Sequence, residues 1–182
     1  SDIFCGDIRS LNFLKIKKKF KKIDGVVGGP PCPPFSKSRF YIKEKKRAME
    51  DLDGKETIEN YFRAIKEINP KFYFFENVHG FIYKPHKNSL EYLRSISEKL
   101  GYKTFYKVIN CANYGVPQTR ERFICVGIKN SLRDFEFPTE SHSLKPNGNQ
   151  KKWVTAGKIL NDIDFDLPED KNMTAGSKHS DL

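Results

Sequence analysis

The chain has 182 residues and a net charge of +10, which is long enough for one domain with a sizeable core. Hydrophobic residues make up 37% and aromatic residues 13% of the chain, which argues against disorder over most of its length. No apolar run approaches the roughly 18 residues of a membrane-spanning helix, so no membrane partner is expected. The basic charge fits a nucleic-acid partner, and it fits a solvated lysine-rich surface equally well.

Strands and helices are predicted to alternate along the first half of the chain. Apolar residues recur at helical spacing in two segments, and two short apolar segments read as buried strands. The segment between the first of these strands and the second helix begins with prolines and then becomes rich in charge, which predicts a loop. The predicted elements are the end of a strand over 3–5, a helix over 11–22, a strand over 25–29, a helix over 56–68 and a strand over 72–75.

The second half is predicted to contain a helix over 88–100, two strands over 102–109 and 123–128, and a short helix over 155–163. Only about a dozen residues join the two strands, which leaves no room for a crossover helix, so the pair is expected to be antiparallel if adjacent. The chain is therefore predicted to have an α/β fold whose sheet is mostly parallel with an antiparallel edge strand.

Four cysteines occur, and none belongs to a C-x-x-C pair or lies at zinc-like spacing from a histidine. This pattern predicts no metal site and fits the reducing cytoplasm, where we expect the protein to be located. Cys5, Cys111 and Cys125 are predicted to be core residues. Cys32 has different neighbours, because prolines surround it directly after a predicted strand.

The segment Gly29-Pro30-Pro31-Cys32-Pro33-Pro34-Phe35-Ser36 is the first of three motifs. In open α/β sheets, ligands bind beyond the carboxyl ends of the strands, and the prolines stiffen the loop that would hold the cysteine there. The motif therefore predicts a functional thiol. A buried thiol in a proline-rich turn is the alternative.

The second motif is Phe75-Glu76-Asn77-Val78, in which an acidic residue follows four aromatic residues. A carboxylate at that place is costly unless it is paired or functional, although it could also point to water in a turn. The third motif runs from Tyr114 to Arg122. An extended backbone would put Gln118, Arg120 and Arg122 on one face, as a charged surface strand would also do.

Together these motifs resemble the DNA (cytosine-5)-methyltransferase family, which has a Pro-Cys loop, a Glu-Asn-Val motif and a Gln-x-Arg-x-Arg motif in this order. The resemblance covers about residues 2 to 167. Gly6-Asp7-Ile8 is also similar to the family segment whose Asp contacts the adenine of S-adenosylmethionine. The chain departs from the family at Pro33, where the family usually has Gln, and its Gly-rich cofactor loop, target recognition region and C-terminal motifs are not found.

The resemblance implies a Rossmann-like S-adenosylmethionine-dependent methyltransferase fold, incomplete at both ends. It implies a partial catalytic domain over 1–167, and over 168–182 a polar tail leading toward a missing target recognition region. By resemblance, Cys32 attacks C6 of a flipped-out cytosine in double-stranded DNA, and the methyl group passes to C5. The implied catalytic residues are Cys32, Glu76, Arg120 and Arg122, the cofactor-binding residues Asp7, Ile8 and Pro31, and the substrate-binding residues Gln118, Ser36, Arg39 and Asn77.

The family context further implies a restriction-modification system with a cognate restriction endonuclease that acts on the same site. A tRNA cytosine-5 methyltransferase remains an alternative, and so does a non-catalytic or split-enzyme subunit of the same fold. Because a methyl-donor pocket needs a glycine turn after its first strand, the isolated chain is expected to fold at least partly but not to methylate DNA.

Overall fold

The computed structural model describes residues 3–36, 46–130, 132 and 134–161. Arg39 and the polar tail predicted over 168–182 lie outside these residues. The helices are α1 Phe13–Phe20, α2 Leu52–Ile68, α3 Lys87–Lys99 and α4 Ala156–Asn161. The strands are β1 Gly25–Gly28, β2 Phe72–Val78, β3 Tyr102–Asn110, β4 Glu121–Lys129, β5 His142–Ser143 and β6 Lys151–Lys152.

The helix α2 shows how local sequence sets the limits of an element. Its N-cap is Asp51, whose carboxylate accepts a hydrogen bond of 2.9 Å from the backbone N–H of Gly54. It ends at Asn69, which takes the left-handed conformation with φ 54°. The helix therefore begins four residues before the predicted start at Glu56, because the Asp51 cap accommodates Gly54 in the first turn.

Four strands form one sheet in the order β1-β2-β4-β3. β1 is parallel to β2, and β4 is antiparallel to both β2 and β3. The α/β class is confirmed, but the predicted position of the antiparallel strand was wrong, because β4 lies between two strands and not at an edge. The connection through α3 places β3 one strand position away from β2. The short connection after β3 then returns the chain, and β4 fills the position between β2 and β3.

The edge strand β1 has one pairing partner, β2, among the described residues. Val27 projects from β1 with 73% of its surface exposed. Residues 3–5, which were predicted as the end of a strand, have no strand assignment. The segment after Pro138 contains the small parallel sheet of β5 and β6. None of the described helices is both long and apolar enough to cross a membrane.

The two faces of the four-stranded sheet differ. One face, here called the helix face, carries Tyr73 and Phe75 of β2 and packs against α2 and α3. Tyr61 of α2 lies 5.4 Å from Phe75 between ring centroids, and the hydroxyls of Tyr73 and of Ser97 in α3 are 2.6 Å apart. Successive strand residues point to opposite faces, so Glu76 lies on the other face, here called the open face. A buried aromatic core therefore supports one side of the sheet and leaves charged side chains on the other.

Candidate active site

The cysteine loop, residues 30–36, begins two residues beyond the carboxyl end of β1. A 3-10 turn spans Pro33–Phe35 directly after Cys32, and the N–H of Phe35 donates a hydrogen bond of 2.9 Å to the carbonyl of Cys32. Proline starts this turn well, because its fixed φ suits the first helical position and its missing N–H is not needed there. The side chain of Cys32 is exposed to solvent, as a reactive thiol requires.

The cysteine loop is fastened at its start by a hydrogen bond. Asn77 is buried on the helix face, and its side-chain amide donates to the carbonyl of Pro30 at 3.2 Å. The side-chain oxygen of Asn77 accepts a hydrogen bond from the N–H of Val78 at 2.9 Å. Asn77, predicted to bind substrate, thus holds the backbone of the loop that carries Cys32.

Close packing fastens the other end of the cysteine loop. Phe35 has 0% of its surface exposed, and its ring lies 5.0 Å from the ring of Phe81. A Cβ atom on Gly80 would approach the carbonyl oxygen of Phe35 to 2.0 Å, and a Cβ on Gly54 would approach Pro34 to 2.8 Å. The loop can occupy this position only because both glycines lack a side chain.

Glu76 and Arg122 form an ion pair on the open face. Glu76 of β2 lies opposite Ile124 of β4, which makes Arg122 its diagonal neighbour on the same face. Arg122 Nε lies 2.7 Å from Glu76 Oε1, and 37% of the Glu76 side chain is exposed. A Cβ on Gly29 would lie 3.0 Å from Glu76 Oε2. The ion pair therefore lies where the chain leaves β1 for the cysteine loop.

Gln118 and Arg120 do not continue the strand of Arg122. β4 begins at Glu121, and Gln118 lies in a bend in which its N–H donates to the carbonyl of Val116 at 2.7 Å. The prediction that Gln118, Arg120 and Arg122 alternate along an extended backbone was therefore wrong. Both Gln118 and Arg120 have exposed side chains, and their roles stay predictions.

The segment before β4, residues 111–120, is here called the arginine loop. The side-chain oxygen of Asn110 accepts hydrogen bonds from the N–H groups of Ala112, at 3.1 Å, and Arg120, at 3.3 Å, and so closes the base of the loop. Gly115 turns the chain with φ 86°. A Cβ there would approach the ring of His142 to 2.9 Å, so the loop lies directly against β5.

A polar network holds the outer side of the arginine loop. Asn113 donates to Glu140 Oε2 at 3.0 Å, and Trp153 Nε1 donates to Asn113 Oδ1 at 3.0 Å. Lys107 Nζ, on the open face, lies 2.9 Å from Glu140 Oε1, and this hydrogen bond raises the pKa of Lys107. Sequence reasoning missed this network, because its members are far apart in the chain and no motif contains them.

A hollow of about 380 Å³ brings together two of the predicted cofactor-binding residues. Asp7 and Pro31 both line it, together with Asp51, Gly54 and Thr57. Its walls therefore come from the N-terminal segment, the cysteine loop and the start of α2. Such a volume lies in the range of small-molecule sites.

Asp7 is held by Arg9 at the mouth of this hollow. Arg9 Nη2 lies 2.7 Å from Asp7 Oδ2, and Arg9 Nη1 lies 2.9 Å from Glu56 of α2. The hydrogen bonds from Arg9 lower the pKa of Asp7 to about 2, so Asp7 is ionised at neutral pH. Ile8, the third predicted cofactor residue, packs its side chain on the cluster around Phe13 instead.

The four cysteines differ in exposure. Cys5 and Cys32 are exposed, Cys111 is half-buried, and Cys125 is buried. Burial raises the pKa of Cys125 to about 12, so this thiol stays protonated. The prediction of a core position is confirmed for Cys125 and was wrong for Cys5, because none of the described strands pairs with residues 3–5 and covers them. Cys32 and Cys5 are therefore the two accessible thiols to compare.

Two further predictions concern the cysteine loop and metals. Ser36, half-buried, ends the 3-10 turn and donates its backbone N–H to the carbonyl of Pro33 at 3.3 Å.

Among the described residues, no group of three or more His, Cys, Asp or Glu side chains could hold a metal ion. A larger hollow of about 610 Å³ lies between Phe4 and α1, and its lining contains none of the predicted site residues.

Comparison with known proteins bears on the whole chain. The family model for C-5 cytosine-specific DNA methylases matches residues 2–181. The Type II methyltransferase M.SacI from Streptomyces achromogenes is 35% identical over 143 residues, which are 76% of this chain and 36% of that protein. The Type II methyltransferase M.Eco47II from Escherichia coli is 31% identical over 181 residues, which are 97% of this chain and 40% of that protein. The chain thus spans little more than a third of these relatives.

Two solved structures have the same fold. A prophage-encoded DNA modification methyltransferase from E. coli superposes with a TM-score of 0.59 at 25% identity, covering 82% of this chain and 38% of that one. The S. pombe Dnmt2 methyltransferase superposes with a TM-score of 0.50 at 18% identity, covering 70% of this chain and 35% of that one. The Rossmann-like methyltransferase fold is therefore shared, and the second likeness concerns the fold alone.

Proposed function

Because the chain belongs to the C-5 cytosine-specific DNA methylase family, we propose that it carries the nucleophile and the base-binding pair of an enzyme that methylates C5 of cytosine in double-stranded DNA. The observation that carries this proposal is the exposed thiol of Cys32 on an anchored loop, which the chain enters at Gly29 beside the carboxylate of Glu76 in its ion pair with Arg122. A fixed backbone matters here because a nucleophile must be held close to the reacting atom before attack.

Cys32 acts as a covalent catalyst in this proposal. Its thiolate adds to C6 of cytosine, so that an S–C6 bond forms and the electron pair of the C5–C6 double bond moves into the ring. C5 becomes nucleophilic and would take the methyl group from a sulfonium donor, whose S–CH3 bond breaks so that a neutral thioether leaves. Loss of the C5 proton to a base then lets the thiolate leave C6, which restores the double bond and frees Cys32.

Glu76 and Arg122 would hold the target base. Glu76 accepts a hydrogen bond from the N4 amine of cytosine, and transfer of a carboxyl proton from Glu76 to N3 draws electron density from C6 and favours attack by Cys32. Arg122 donates to O2 of the base, and its bond to Glu76 fixes the carboxylate. Arg120 and Gln118 are proposed to support the same base from the arginine loop.

S-adenosylmethionine would supply an electrophilic methyl group on a sulfonium sulfur. The hollow between Asp7 and Pro31 suits it, because the ionised Asp7 can accept a hydrogen bond from the adenine amine and Pro31 belongs to the same loop as Cys32. Arg9 donates a hydrogen bond to the carboxylate of Asp7, and that bond would have to break before this oxygen could accept from the adenine. Ile8 would contribute through its backbone, because its side chain packs elsewhere.

The target cytosine must leave the duplex to reach Cys32. Ser36 and Arg39 are proposed to contact the DNA around the flipped base, and the net charge of +10 favours a polyanion. The relatives named Type II methyltransferases suggest a restriction-modification system, a cognate endonuclease as partner and a cytoplasmic location for this protein.

Covalent trapping tests the proposal in the intact protein that contains this chain. DNA with 5-fluorocytosine at the target should remain bonded to Cys32, because fluorine cannot leave C5 as a proton does. Peptide mapping should place the adduct on Cys32. The Cys32→Ala variant should form no adduct, whereas the matched Cys5→Ala variant, which removes the other exposed thiol, should be trapped normally. An adduct on Cys5 would overturn the assignment.

A further inference from the structure

We propose that a second hollow, beside the arginine loop, binds a DNA nucleotide that flanks the target cytosine. The hollow has a volume of about 310 Å³ and lies between the arginine loop and the segment 144–156. Its polar and aromatic lining consists of Gln118, Thr119, Lys152, Trp153 and Thr155. The inference rests on the proposed function, because it takes DNA as the substrate.

Trp153 offers a fixed aromatic face for a base or a sugar. Its indole N–H donates to Asn113 Oδ1 at 3.0 Å, and its backbone N–H donates to the carbonyl of Ser143 at 3.1 Å. Asn113 is itself held by Glu140. The ring is thus ordered before any ligand arrives, which reduces the entropy lost on binding. Stacking of a base on such a ring is tolerant of sequence, because every base has a π face.

The charge of the hollow fits a phosphate. Lys152 is the charged residue among those that line it, and no carboxylate belongs to the described lining. The hollow at Asp7 differs in charge, because three aspartates and Arg9 line it. Lys152 is exposed and can reach a phosphate, while the amide of Gln118 and the hydroxyl of Thr119 offer hydrogen bonds to a base edge.

The chain length between Gln118 and Arg122 limits how far the hollow can lie from the ion pair. Gln118 lies four residues before Arg122, and four residues span at most about 14 Å. Stacked nucleotides of one strand lie about 3.4 Å apart, so the hollow is within roughly four nucleotides of a base held by Glu76 and Arg122. The volume suits one nucleotide, which makes the occupant a flanking nucleotide and not the target itself.

The fluorescence of Trp153 tests the inference directly, because Trp153 is the single tryptophan of the 182 residues. The chain would be titrated at low salt with a fluorescently labelled duplex that contains cytosine, and binding would be followed independently by the anisotropy of the label. We expect the emission of Trp153 to be quenched in proportion to the bound fraction. Unchanged emission at saturating anisotropy would overturn the inference, and so would a failure of the duplex to bind.

Two adjacent lysines provide a matched pair of variants. Lys151 and Lys152 are both exposed in β6, but successive strand residues face opposite ways, and Lys152 is the one that lines the hollow. Lys152→Ala should weaken binding several-fold and lower the slope of log K against log salt by about 1. Lys151→Ala should change the same slope by less than half as much as Lys152→Ala does. Equal effects of the two substitutions would contradict the inference.

The introduction of a negative charge gives a second test that does not depend on removing a lysine. Leu144 is 59% exposed and lines the hollow, whereas Leu132 is 46% exposed and lies outside its lining. Leu144→Glu should weaken DNA binding and reduce the quenching of Trp153, and Leu132→Glu should do so much less. Both variants add the same charge to an exposed position, so a general electrostatic effect would change DNA binding and Trp153 quenching equally in the two. Equal changes would overturn the inference.

The outcomes separate this inference from the proposed function. A protein that is trapped through Cys32 but whose Trp153 emission does not respond to DNA would refute the flanking-nucleotide site alone. A protein whose Trp153 is quenched by DNA but that forms no adduct on Cys32 would refute the proposed nucleophile alone.

Discussion

The cysteine loop and the arginine loop are fastened by different physical means. The cysteine loop is held by apolar burial of Phe35 and by the close approach of its backbone to Gly80. The arginine loop is held by hydrogen bonds that its backbone N–H groups donate to the side-chain oxygen of Asn110, and by the network of Asn113 and Glu140. One loop depends on shape and the other on polar pairing.

This difference predicts different responses to mutation and to solvent. Close packing leaves little room for adjustment, so a change of one methyl group is felt strongly. Polar contacts at half-exposed positions exchange with water, so their loss costs less and depends on salt. The part of the site that carries the nucleophile should therefore be rigid, and the part that meets DNA should be adjustable.

The largest expected effect is that of Phe35→Ala. Phe35 is fully buried against Phe81, so its removal should lower the free energy of unfolding by about 3–5 kcal/mol. Urea denaturation followed by circular dichroism would measure the change. The control is Phe20→Ala, because Phe20 is 43% exposed and its removal should cost within about 0.5 kcal/mol. Similar losses for the two variants would show that packing does not fasten the cysteine loop.

Gly80→Ala should have the next largest effect. The added Cβ would lie 2.0 Å from the carbonyl oxygen of Phe35, so the cysteine loop must shift, at a cost of about 1–3 kcal/mol. Thiol alkylation should show a changed rate at Cys32 and an unchanged rate at Cys5. Gly157→Ala is the control, because nothing lies within 4 Å of its added Cβ and alanine favours the helix α4. If Gly80→Ala left the alkylation of Cys32 unaltered, the proposed contact with the loop would be refuted.

Substitutions in the polar network of Glu140 should lower the free energy of unfolding less than those at Phe35 and Gly80. Glu140→Ala removes the partner of both Lys107 and Asn113, and should lower the free energy of unfolding by roughly 1 kcal/mol. Asp134→Ala is matched to it, because Lys103 Nζ lies 2.8 Å from Asp134 across the same face of the sheet. The Asp134 side chain is 62% exposed, so its loss should cost under about 0.5 kcal/mol. Melting curves at low and high salt would compare them, and a smaller effect at Glu140 than at Asp134 would break the comparison.

The smallest expected effect on stability is that of breaking the ion pair between Asp7 and Arg9. The hydrogen bonds from Arg9 hold the pKa of Asp7 at about 2, and Arg9→Gln should return it toward about 4. Because the folded pKa lies below the unfolded value, the tie stabilises the fold above about pH 4, and that contribution is lost as the pH falls toward 2. Carbon-detected NMR titration of Asp7 would measure the shift. The alkylation rate of Cys32 should not change, and a change would connect this exposed tie to the cysteine loop.

Local sequence predicted the elements that carry the thiol and the carboxylate. The prolines around Cys32 and the aromatic run before Glu76 are local signals. The cysteine loop follows a strand as expected, whereas Glu76 lies inside β2, because the strand continues to Val78 and not only to Phe75. The helix start at Asp51 was missed, because the glycine in its first turn masked the helical pattern.

Long-range features could not be predicted in the same way. Asn113 meets Glu140 across 27 residues and Trp153 across 40, and no spacing rule connects such positions. β4 lies between β2 and β3 because the connection through α3 places those two strands one position apart. The pattern of apolar residues in the strands does not encode that spacing. The exposure of Cys5 likewise depends on which strands are available to cover it, and not on its apolar neighbours in sequence.

Within the part of the chain that the structure describes, β1 pairs on one side only, and this has a consequence in solution. Its outward-facing backbone groups and the uncovered Val27 can pair with another extended chain, as edge strands do. The net charge of +10 keeps like molecules apart and so opposes this pairing. Added salt screens that repulsion, and it also weakens attraction to a polyanion. The same salt concentration that releases nucleic acid should therefore promote clustering of the protein with itself, so the two kinds of assembly have opposite dependences on ionic strength.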